Sequence, residues 1–343
     1  MTVPTTKAEH TRYTPGPLHH FKGGRGLNFL HLKYFLMVAE ELNITRAAER
    51  LYISQQSLSN HISNLERELD TKLFTRSPKL SLTYAGDLLV DTATQILDLQ
   101  NQYLSKVGDI SRQYMGVLRV GISYTCGLAL LPDILPRFRK EFPLVEFSLF
   151  EGNSSQLEDE LSHGRVDLII CFQPIMMEGV EVVPLHEDHL ILAVPRRFTD
   201  RQFGERADEM RRQFADGADI TAFQQMPFIL LKKGNRVRSI VDQYLSRNFF
   251  KPNIVLETEN TATTLAMAKA EMGVVICPEL FLRSIHIPAA QISANELDLF
   301  PLTDPSTMSK LVVGYRRDRY LSHFAERFIQ ITQDVLSWHK TEE

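Results

Sequence analysis

The sequence predicts an α/β fold in three parts: an N-terminal winged helix-turn-helix, a long dimerisation helix and a two-lobed α/β domain. Three observations support this prediction. Apolar residues recur at helical spacing in short segments between residues 32 and 69. A seven-residue apolar repeat follows in a segment without proline that reaches residue 114. Beyond residue 116, apolar runs of strand length alternate with helical patterns, which is typical of sheets covered by helices.

Composition and length indicate a globular protein with several domains. The chain has 343 residues, 43% hydrophobic and 23% charged, which suits two or three domains. Its net charge of −4 argues against coating nucleic acid by bulk charge, so any contact with DNA has to be local. No apolar run approaches the roughly 18 to 20 residues that span a bilayer, and the N-terminus lacks a signal-peptide core. We therefore expect a cytoplasmic protein without a membrane partner.

The three cysteines, Cys126, Cys171 and Cys277, are widely spaced. This usage suits a reducing compartment and matches no zinc-binding pattern, so we expect neither a metal nor a cofactor. The sequence also lacks a nucleophile elbow, a phosphate-binding loop, a zinc-protease motif and a dinucleotide fingerprint. We therefore do not expect an enzyme.

The first two parts of the chain are a tail and a small helical domain. Residues 1–26 are polar and show no periodicity, which predicts a flexible tail. Residues 27–86 predict three helices, the second capped by Asn43 and the third by Ser54. The short extended runs after the third helix predict a β-hairpin wing.

The polar face of the third predicted helix is the candidate DNA-reading surface. Short side chains without charge lie opposite its apolar stripe, and such groups suit hydrogen bonds to base edges. From residue types alone, an ordinary solvated face is the alternative. Arg76 and Lys79 in the wing are placed to meet the phosphate backbone. The side chains of this face are Gln55, Gln56, Ser59, Asn60 and Ser63.

The run from Ile44 to Gly86 resembles the DNA-binding domain of LysR-type transcriptional regulators. That family's pattern is T-x-A-A-x-x-L, then S-Q-x-x-L-S-x-x-I-x-x-L-E, then L-F-x-R and L-T-x-A-G. The matching residues are Thr45, Ala47, Ala48, Leu51, Ser54, Gln55, Leu58, Ser59, Ile62, Leu65, Glu66, Leu73, Phe74, Arg76, Leu82, Thr83, Ala85 and Gly86.

The resemblance implies that Thr45 and Arg76 hold phosphates and that the residues from Gln55 to Asn60 on the polar face enter the major groove. We add Arg46 and Ser54 to this DNA-binding set. The family often has proline where this chain has Gln56, and arginine followed by glutamine where it has Asn60 and His61. The operator sequence therefore does not carry over from relatives.

Residues 87–115 predict a long linker helix with an apolar seam. Such a seam needs a partner, and a second copy of the chain is the prediction, with packing on the chain's own C-terminal domain as the alternative. The resemblance implies the same pairing, in a homodimer or a homotetramer. The seam consists of Leu89, Ala93, Ile96, Gln100, Tyr103, Val107, Ile110 and Tyr114.

Residues 116–343 predict an effector-binding domain with a largely parallel sheet. Lobe I covers about 116–190 and 286–343, and lobe II about 191–285. The order of elements resembles the effector domain of LysR-type regulators, which is similar in fold to type 2 periplasmic binding proteins.

Ligands of such sheets bind beyond the C-terminal strand ends, where helices begin. Hydroxyls, amides and free N–H groups at helix starts favour an anion, and a small carboxylate is the predicted class. Arg236 suits a bidentate grip on it, whereas helix capping is the alternative role for the other residues. The candidates are Ser123, Tyr124, Thr125, Asn153, Ser154, Gln173, Gly234, Asn235, Arg236, Asn260 and Thr261.

Together these features predict a sequence-specific DNA-binding transcription regulator that a small anionic effector controls from the cleft between the lobes. The expected partners are double-stranded promoter DNA, the effector and further copies of the chain, with RNA polymerase as a candidate. A thiol-based oxidant-sensing regulator is the alternative, because some members of the family it resembles use a cysteine pair in the effector domain and Cys126 ends a predicted strand, where it could be exposed. Against it, Val237 stands where such sensors are expected to carry a cysteine.

Overall fold

The computed structural model describes residues 28–77, 79–111, 114–285 and 296–338. The predicted tail, residues 1–26, lies outside this part of the chain. Two compact units divide the chain between Ala93 and Thr94. The α/β class is confirmed, with an N-terminal helix-turn-helix domain and a substrate-binding domain of mixed sheets. A long helix lies between them.

The first unit contains three short helices, a two-stranded hairpin and the start of a long helix. Each short helix begins at a capping side chain, because Asn28, Asn43 and Ser54 each accept a hydrogen bond from a first-turn N–H group. The elements are α1 (Phe29–Glu41), α2 (Ile44–Arg50), α3 (Gln55–Glu68), β1 (Phe74–Thr75), β2 (Ser81–Leu82) and α4 (Tyr84–Ser111).

The core of this unit holds the helix-turn-helix together. Ala47 and Ala48 of α2 are buried, and side chains of this size let a neighbouring helix approach closely. The wing is an antiparallel pair in which Phe74 lies opposite Leu82. Gly86 follows the wing, and a Cβ at this position would lie 2.2 Å from the carbonyl oxygen of Leu73. Only glycine fits there without a shift of the backbone.

Helix α4 does not present the predicted seam as one surface. Leu89 and Ala93 are buried within the chain, whereas Tyr103 and Val107 are exposed. Tyr114 lies beyond the helix, and its ring centroid is 5.0 Å from that of His323. The side chain of Ile110 lies outside the described part of the structure. The heptad prediction was therefore wrong for Leu89, Ala93 and Tyr114, because the chain's own cores bury or contact them.

The second unit contains two mixed five-stranded sheets, one in each lobe. In lobe I the strand order is β4-β3-β5-β12-β6, and in lobe II it is β11-β7-β10-β8-β9. The strands are β3 (Gly116–Ile122), β4 (Val145–Glu151), β5 (Leu168–Phe172), β6 (Val180–Asp188), β7 (Leu190–Pro195), β8 (Pro227–Leu231), β9 (Asn253–Thr258), β10 (Val274–Pro278), β11 (Leu297–Pro301) and β12 (Ser309–Arg316).

Helices cover both sheets. They are α5 (Tyr124–Glu141), α6 (Ser154–Ser162), α7 (Arg196–Phe203), α8 (Ala207–Gln213), α9 (Arg236–Arg247), α10 (Thr261–Lys269) and α11 (His323–Trp338). The sequence did not predict α7 and α8, which are short and rich in charged residues. None of the helices in the described ranges has the length and apolar character that crossing a bilayer requires.

Three features of this unit correct the sequence predictions. The sheets are not largely parallel, because β12 runs antiparallel to β5 and β6, and β7 runs antiparallel to β10 and β11. Strand β11 pairs with β7, so Leu297–Pro301 belong to lobe II and not to lobe I. Strand β6 was missed because Pro184 interrupts its apolar pattern, and proline is tolerated there since β6 is an edge strand.

Candidate functional site

The polar face of α3 lies at the surface of the first unit. Gln55, Gln56, Asn60 and Ser63 are exposed, whereas Ser59 is half-buried. The opposite face is apolar and fills the core, so α3 is held in place without using its polar side chains. These residues form one continuous hydrogen-bonding surface, as the sequence predicted.

The basic residues near α3 differ in their freedom to contact a phosphate. Arg76 and Lys79 are exposed in the wing, and Thr45 is exposed at the start of α2. Arg46 is held by Glu41, whose carboxylate lies 3.3 Å from its Nε and whose carbonyl oxygen accepts a hydrogen bond from its Nη2. Arg46 therefore has to exchange these bonds before it can meet DNA. Ser54 uses its hydroxyl to cap α3, accepting from the N–H of Ser57 at 3.2 Å.

A cavity of about 370 Å³ lies between the two lobes of the second unit. Nine of the eleven predicted effector residues line it, and Gln173 and Asn260 do not. The lining residues are Ser123, Tyr124, Thr125, Gly152, Asn153, Ser154, Gln156, Cys171, Phe172, Lys232, Lys233, Gly234, Asn235, Arg236, Val237, Glu259, Thr261 and Phe281.

Four helices begin at this cavity, and each has a side-chain cap next to it. The side chains of Ser123, Asn153, Asn235 and Asn260 accept hydrogen bonds from first-turn N–H groups of α5, α6, α9 and α10. Helix capping, the alternative role expected for these residues, is therefore observed for all four of them. A cap satisfies only part of the four N–H groups that a helix leaves free at its start, so positive partial charge remains.

The charged side chains at the cavity are mostly basic. Lys232, Lys233 and Arg236 stand against Glu259, which pairs with Lys232 at 3.0 Å. Gly234 separates the lysines from Arg236 and has φ of +93°, a conformation that side-chain-bearing residues rarely adopt. The turn from Lys232 to Arg236 therefore brings three cations to one loop at the start of α9.

Arg236 already has a partner. Its Nη2 lies 3.1 Å from Oε1 of Glu158, which belongs to α6 in the other lobe. Its Nε is buried and has no hydrogen-bond partner among the described residues. The predicted bidentate grip on a ligand is thus partly taken up by a carboxylate of the protein.

Family models match almost the whole described chain. The model described as the LysR substrate binding domain matches residues 111–337, and the model described as the bacterial regulatory helix-turn-helix protein of the lysR family matches residues 29–87. The chain belongs to the LysR family. It is a DNA-binding transcription regulator with a substrate-binding domain.

Known members of the LysR family share its length and fold. An uncharacterized HTH-type regulator of Bacillus subtilis, YcgK, is 29% identical over 312 residues, which are 89% of this chain and 94% of the relative. The full-length structure of CbnR with its target DNA has a TM-score of 0.62 at 22% identity and covers 90% of this chain and 99% of CbnR. Full-length OxyR from Pseudomonas aeruginosa has a TM-score of 0.63 at 23% identity, covering 91% and 98% of the two chains.

The cysteines of this LysR-family chain are buried. Burial raises the pKa of Cys126 and of Cys171 to about 12 and also raises the pKa of Cys277. Thiols with such pKa values form little thiolate, which is the reactive species, near neutral pH. Cys126 lies in the first turn of α5 and is buried, so the prediction that it ends a strand, where it could be exposed, was wrong.

The sequence missed several residues of the cavity. Cys171 and Phe172 end β5 and bring their side chains to the cavity through the sheet order, which no local pattern reveals. Gln156 lies three residues after the cap Asn153 and bonds back to its N–H, completing a capping box. The spacing of Asn153 and Gln156 is visible in the sequence, and it is the one local signal that could have identified Gln156. Gln173 instead bonds through its N–H to the carbonyl of Lys310.

Proposed function

We propose that this LysR-family regulator binds its operator with sequence specificity and is controlled by a small carboxylate held between its lobes. One observation carries the effector class: the starts of four helices and three cationic side chains surround a single cavity. Helix N-termini and cations both stabilise a negative charge. Glu259 and Glu158 already pair with Lys232 and Arg236, so the four helix starts and Lys233 supply most of the positive potential that an acid would meet.

The size of the cavity limits the ligand. A dry cavity of about 150 Å³ accommodates benzene in an engineered protein, so about 370 Å³ suits a molecule somewhat larger than benzene. The lining mixes polar groups with Phe172 and Phe281, which offer apolar contact to a hydrocarbon part. An organic acid with a hydrocarbon part matches both the polar and the apolar groups of this lining.

The DNA-binding proposal rests on the polar face of α3. Gln55, Gln56 and Asn60 are exposed together, and amide side chains pair bidentately with adenine in the major groove. Arg76 and Lys79, both in the wing, would hold phosphates beside this face. A regulator that binds a bacterial promoter acts in the cytoplasm, where the promoter is. Contact with RNA polymerase stays a prediction.

A second copy of the chain is the proposed partner of α4. Leu88, Leu99, Tyr103 and Val107 are exposed on this helix, and we call them the exposed apolar face of α4. Water contact with large apolar side chains is unfavourable, so pairing with the same face of a second copy would bury them. Two recognition helices then occupy half-sites about 34 Å apart, or a multiple of this distance.

A ligand panel with matched neutral controls tests this proposal. The full-length protein is titrated with benzoate, phenylacetate, cinnamate and adipate, each beside its amide, and thermal unfolding and binding to its own upstream DNA are measured. We expect at least one acid, and not its amide, to raise the unfolding temperature and change affinity for that DNA relative to a random duplex. Equal effects of acids and amides would refute the carboxylate effector. Equal affinity for both duplexes under all conditions would refute sequence-specific control.

A further inference from the structure

An ion pair joins the two lobes at the edge of the cavity. Arg236 is the first residue of α9 in lobe II, and Glu158 lies within α6 of lobe I, 78 positions earlier in the chain. Nη2 of Arg236 lies 3.1 Å from Oε1 of Glu158. The side chains are 20% and 15% exposed, so water screens this pair less than it screens a surface pair.

Glu158 is held in place from its own lobe as well. Its other carboxylate oxygen, Oε2, accepts a hydrogen bond from the backbone N–H of Met176 at 3.2 Å. Both oxygens are therefore engaged, one within lobe I and one across the cleft. Arg236 is less fully engaged, since its buried Nε has no hydrogen-bond partner among the described residues.

We propose that Glu158 is a built-in competitor for the effector's carboxylate: it holds Arg236 across the cleft and ties the lobes together until an acid takes its place. This inference rests on the proposed carboxylate effector. The competitor and the ligand present the same chemical group to the same guanidinium, which suits carboxylate recognition by its planar donors.

Exchange of one carboxylate for another keeps the half-buried guanidinium of Arg236 paired. A neutral ligand cannot do this, because displacing Glu158 with an amide would leave Arg236 half-buried with no counter-charge, which is less favourable than the exchange. Glu158 thus sets the selectivity of the site for acids over neutral molecules. Its release removes one of the contacts between lobe I and lobe II, while others such as the ring contact of Phe172 with Phe281 remain, and it favours a change in the spacing of the lobes.

Glu160 provides a matched control for substitution of Glu158. It lies on the same helix, is 17% exposed and pairs with Arg165 at 2.8 Å, but both of these residues belong to lobe I. Glu158→Gln and Glu160→Gln therefore remove the same charge from the same helix at similar burial. Only the first breaks a tie between lobes.

Alkylation of Cys171 reports whether the lobes are tied. This thiol lines the cavity and is buried, so it reacts with N-ethylmaleimide only when the cleft opens. Full-length variants are treated with the reagent, and peptide mass spectrometry follows each cysteine. We expect Cys171 to react at least fivefold faster in Glu158→Gln than in the wild type, and within twofold of the wild type in Glu160→Gln. Cys277, buried in lobe II, should stay slow in all three proteins, which excludes general unfolding.

Arg236→Gln removes the other partner and should accelerate Cys171 as well. Glu158 raises and Arg236 lowers the pKa of the Cys171 thiol, so the direct effects of the two substitutions on its reactivity are opposite, and acceleration in both variants reports opening. Because the direct effect of Arg236→Gln is to slow the thiol, acceleration in this variant reports opening even if Glu158→Gln does not fold. Equal rates in the wild type and in the folded variants of the pair would overturn the tie. Acceleration by Glu160→Gln as large as that by Glu158→Gln would overturn it too.

A titration tests the competition. We expect Glu158→Gln to bind the acid identified from the panel at least fivefold more tightly than the wild type, since the ligand no longer displaces a charged competitor. Unchanged affinity would overturn the competitor role. If Cys171 accelerates as expected while no variant binds any acid of the panel, the tie stands and the carboxylate effector is refuted.

Discussion

Substitution of Glu66 tests how the recognition helix is joined to the wing. Glu66 is 5% exposed and lies near the end of α3. Its carboxylate accepts hydrogen bonds from Nζ of Lys72 at 2.7 Å and from the N–H groups of Leu73 and Phe74 at 3.0 and 3.3 Å. Glu66→Gln keeps the size of the side chain and removes its charge.

The magnitude follows from these three bonds. Glutamine can still accept from Leu73 and Phe74, but its amide group faces the ammonium of Lys72, and the remaining bonds lose their charge. The side chain of Lys72 is 77% exposed, so water screens its bond to Glu66 and loss of that bond contributes little. A hydrogen bond to a charged group contributes about 1.5–3 kcal/mol, and one between neutral groups about 1 kcal/mol. Each of the two backbone bonds therefore weakens by about 1 kcal/mol, and we expect Glu66→Gln to lower the free energy of opening this region by about 2 kcal/mol. Such a change accelerates amide exchange about 30-fold.

The effect should depend on pH. Burial raises the pKa of Glu66, but the hydrogen bonds from Lys72, Leu73 and Phe74 outweigh it and leave the pKa below its usual value. A carboxyl group whose pKa is lower in the folded chain than in the unfolded chain stabilises the fold. This stabilisation is fully present at pH values above the unfolded-state pKa, which is about 4.3 for glutamate. The contribution of Glu66 is lost as pH falls through the lower folded-state pKa. The variant should therefore lack this acid-induced destabilisation.

Hydrogen exchange followed by mass spectrometry of the full-length protein measures the effect in the peptide that contains Leu73 and Phe74. Glu49→Gln, an exposed change on α2, serves as the control and should leave exchange within twofold of the wild type. Exchange of the Glu66→Gln peptide at the wild-type rate near neutral pH would refute the reasoning, since the buried carboxylate would then add nothing to the wing.

Three further predictions concern DNA, assembly and packing. Gln55→Ala should weaken binding to the upstream DNA by about 1–3 kcal/mol in fluorescence anisotropy, and an equal loss on random duplex would contradict base reading. Leu99→Asp should shift the protein towards monomer in sedimentation, whereas Leu144→Asp, an equally exposed leucine in a loop of lobe I, should not; the same state in both variants would rule out pairing through α4. Gly86→Ala places a Cβ against the carbonyl of Leu73 and should destabilise the wing by about 1–3 kcal/mol, measured as faster hydrogen exchange in the wing peptides. Exchange of these peptides at the wild-type rate would show that the backbone shifts at little cost and would contradict this prediction.

The sequence by itself determined the features that depend on neighbours along the chain. Helix starts at Asn43, Ser54 and Asn235 follow from a side chain that bonds an N–H two or three residues later. The apolar stripe of α3 leaves Gln55 and Asn60 on the opposite side, because helical periodicity separates the two faces. Family membership also followed from such local patterns, since the matching residues lie within about forty positions.

Only the tertiary structure decided which distant residues meet. Strand β11 belongs to lobe II because it pairs with β7. This partner lies about a hundred residues earlier in the chain, so nothing in LDLFP itself indicates which sheet the strand joins. Leu89 is not available to the predicted linker seam, because a core of the chain itself buries it. Glu158 became the partner of Arg236 through the packing of two lobes, across 78 positions. Capping hydrogen bonds and helical periodicity act over a few residues and can be predicted from sequence, whereas burial and charge pairing depend on which surfaces the fold brings into contact.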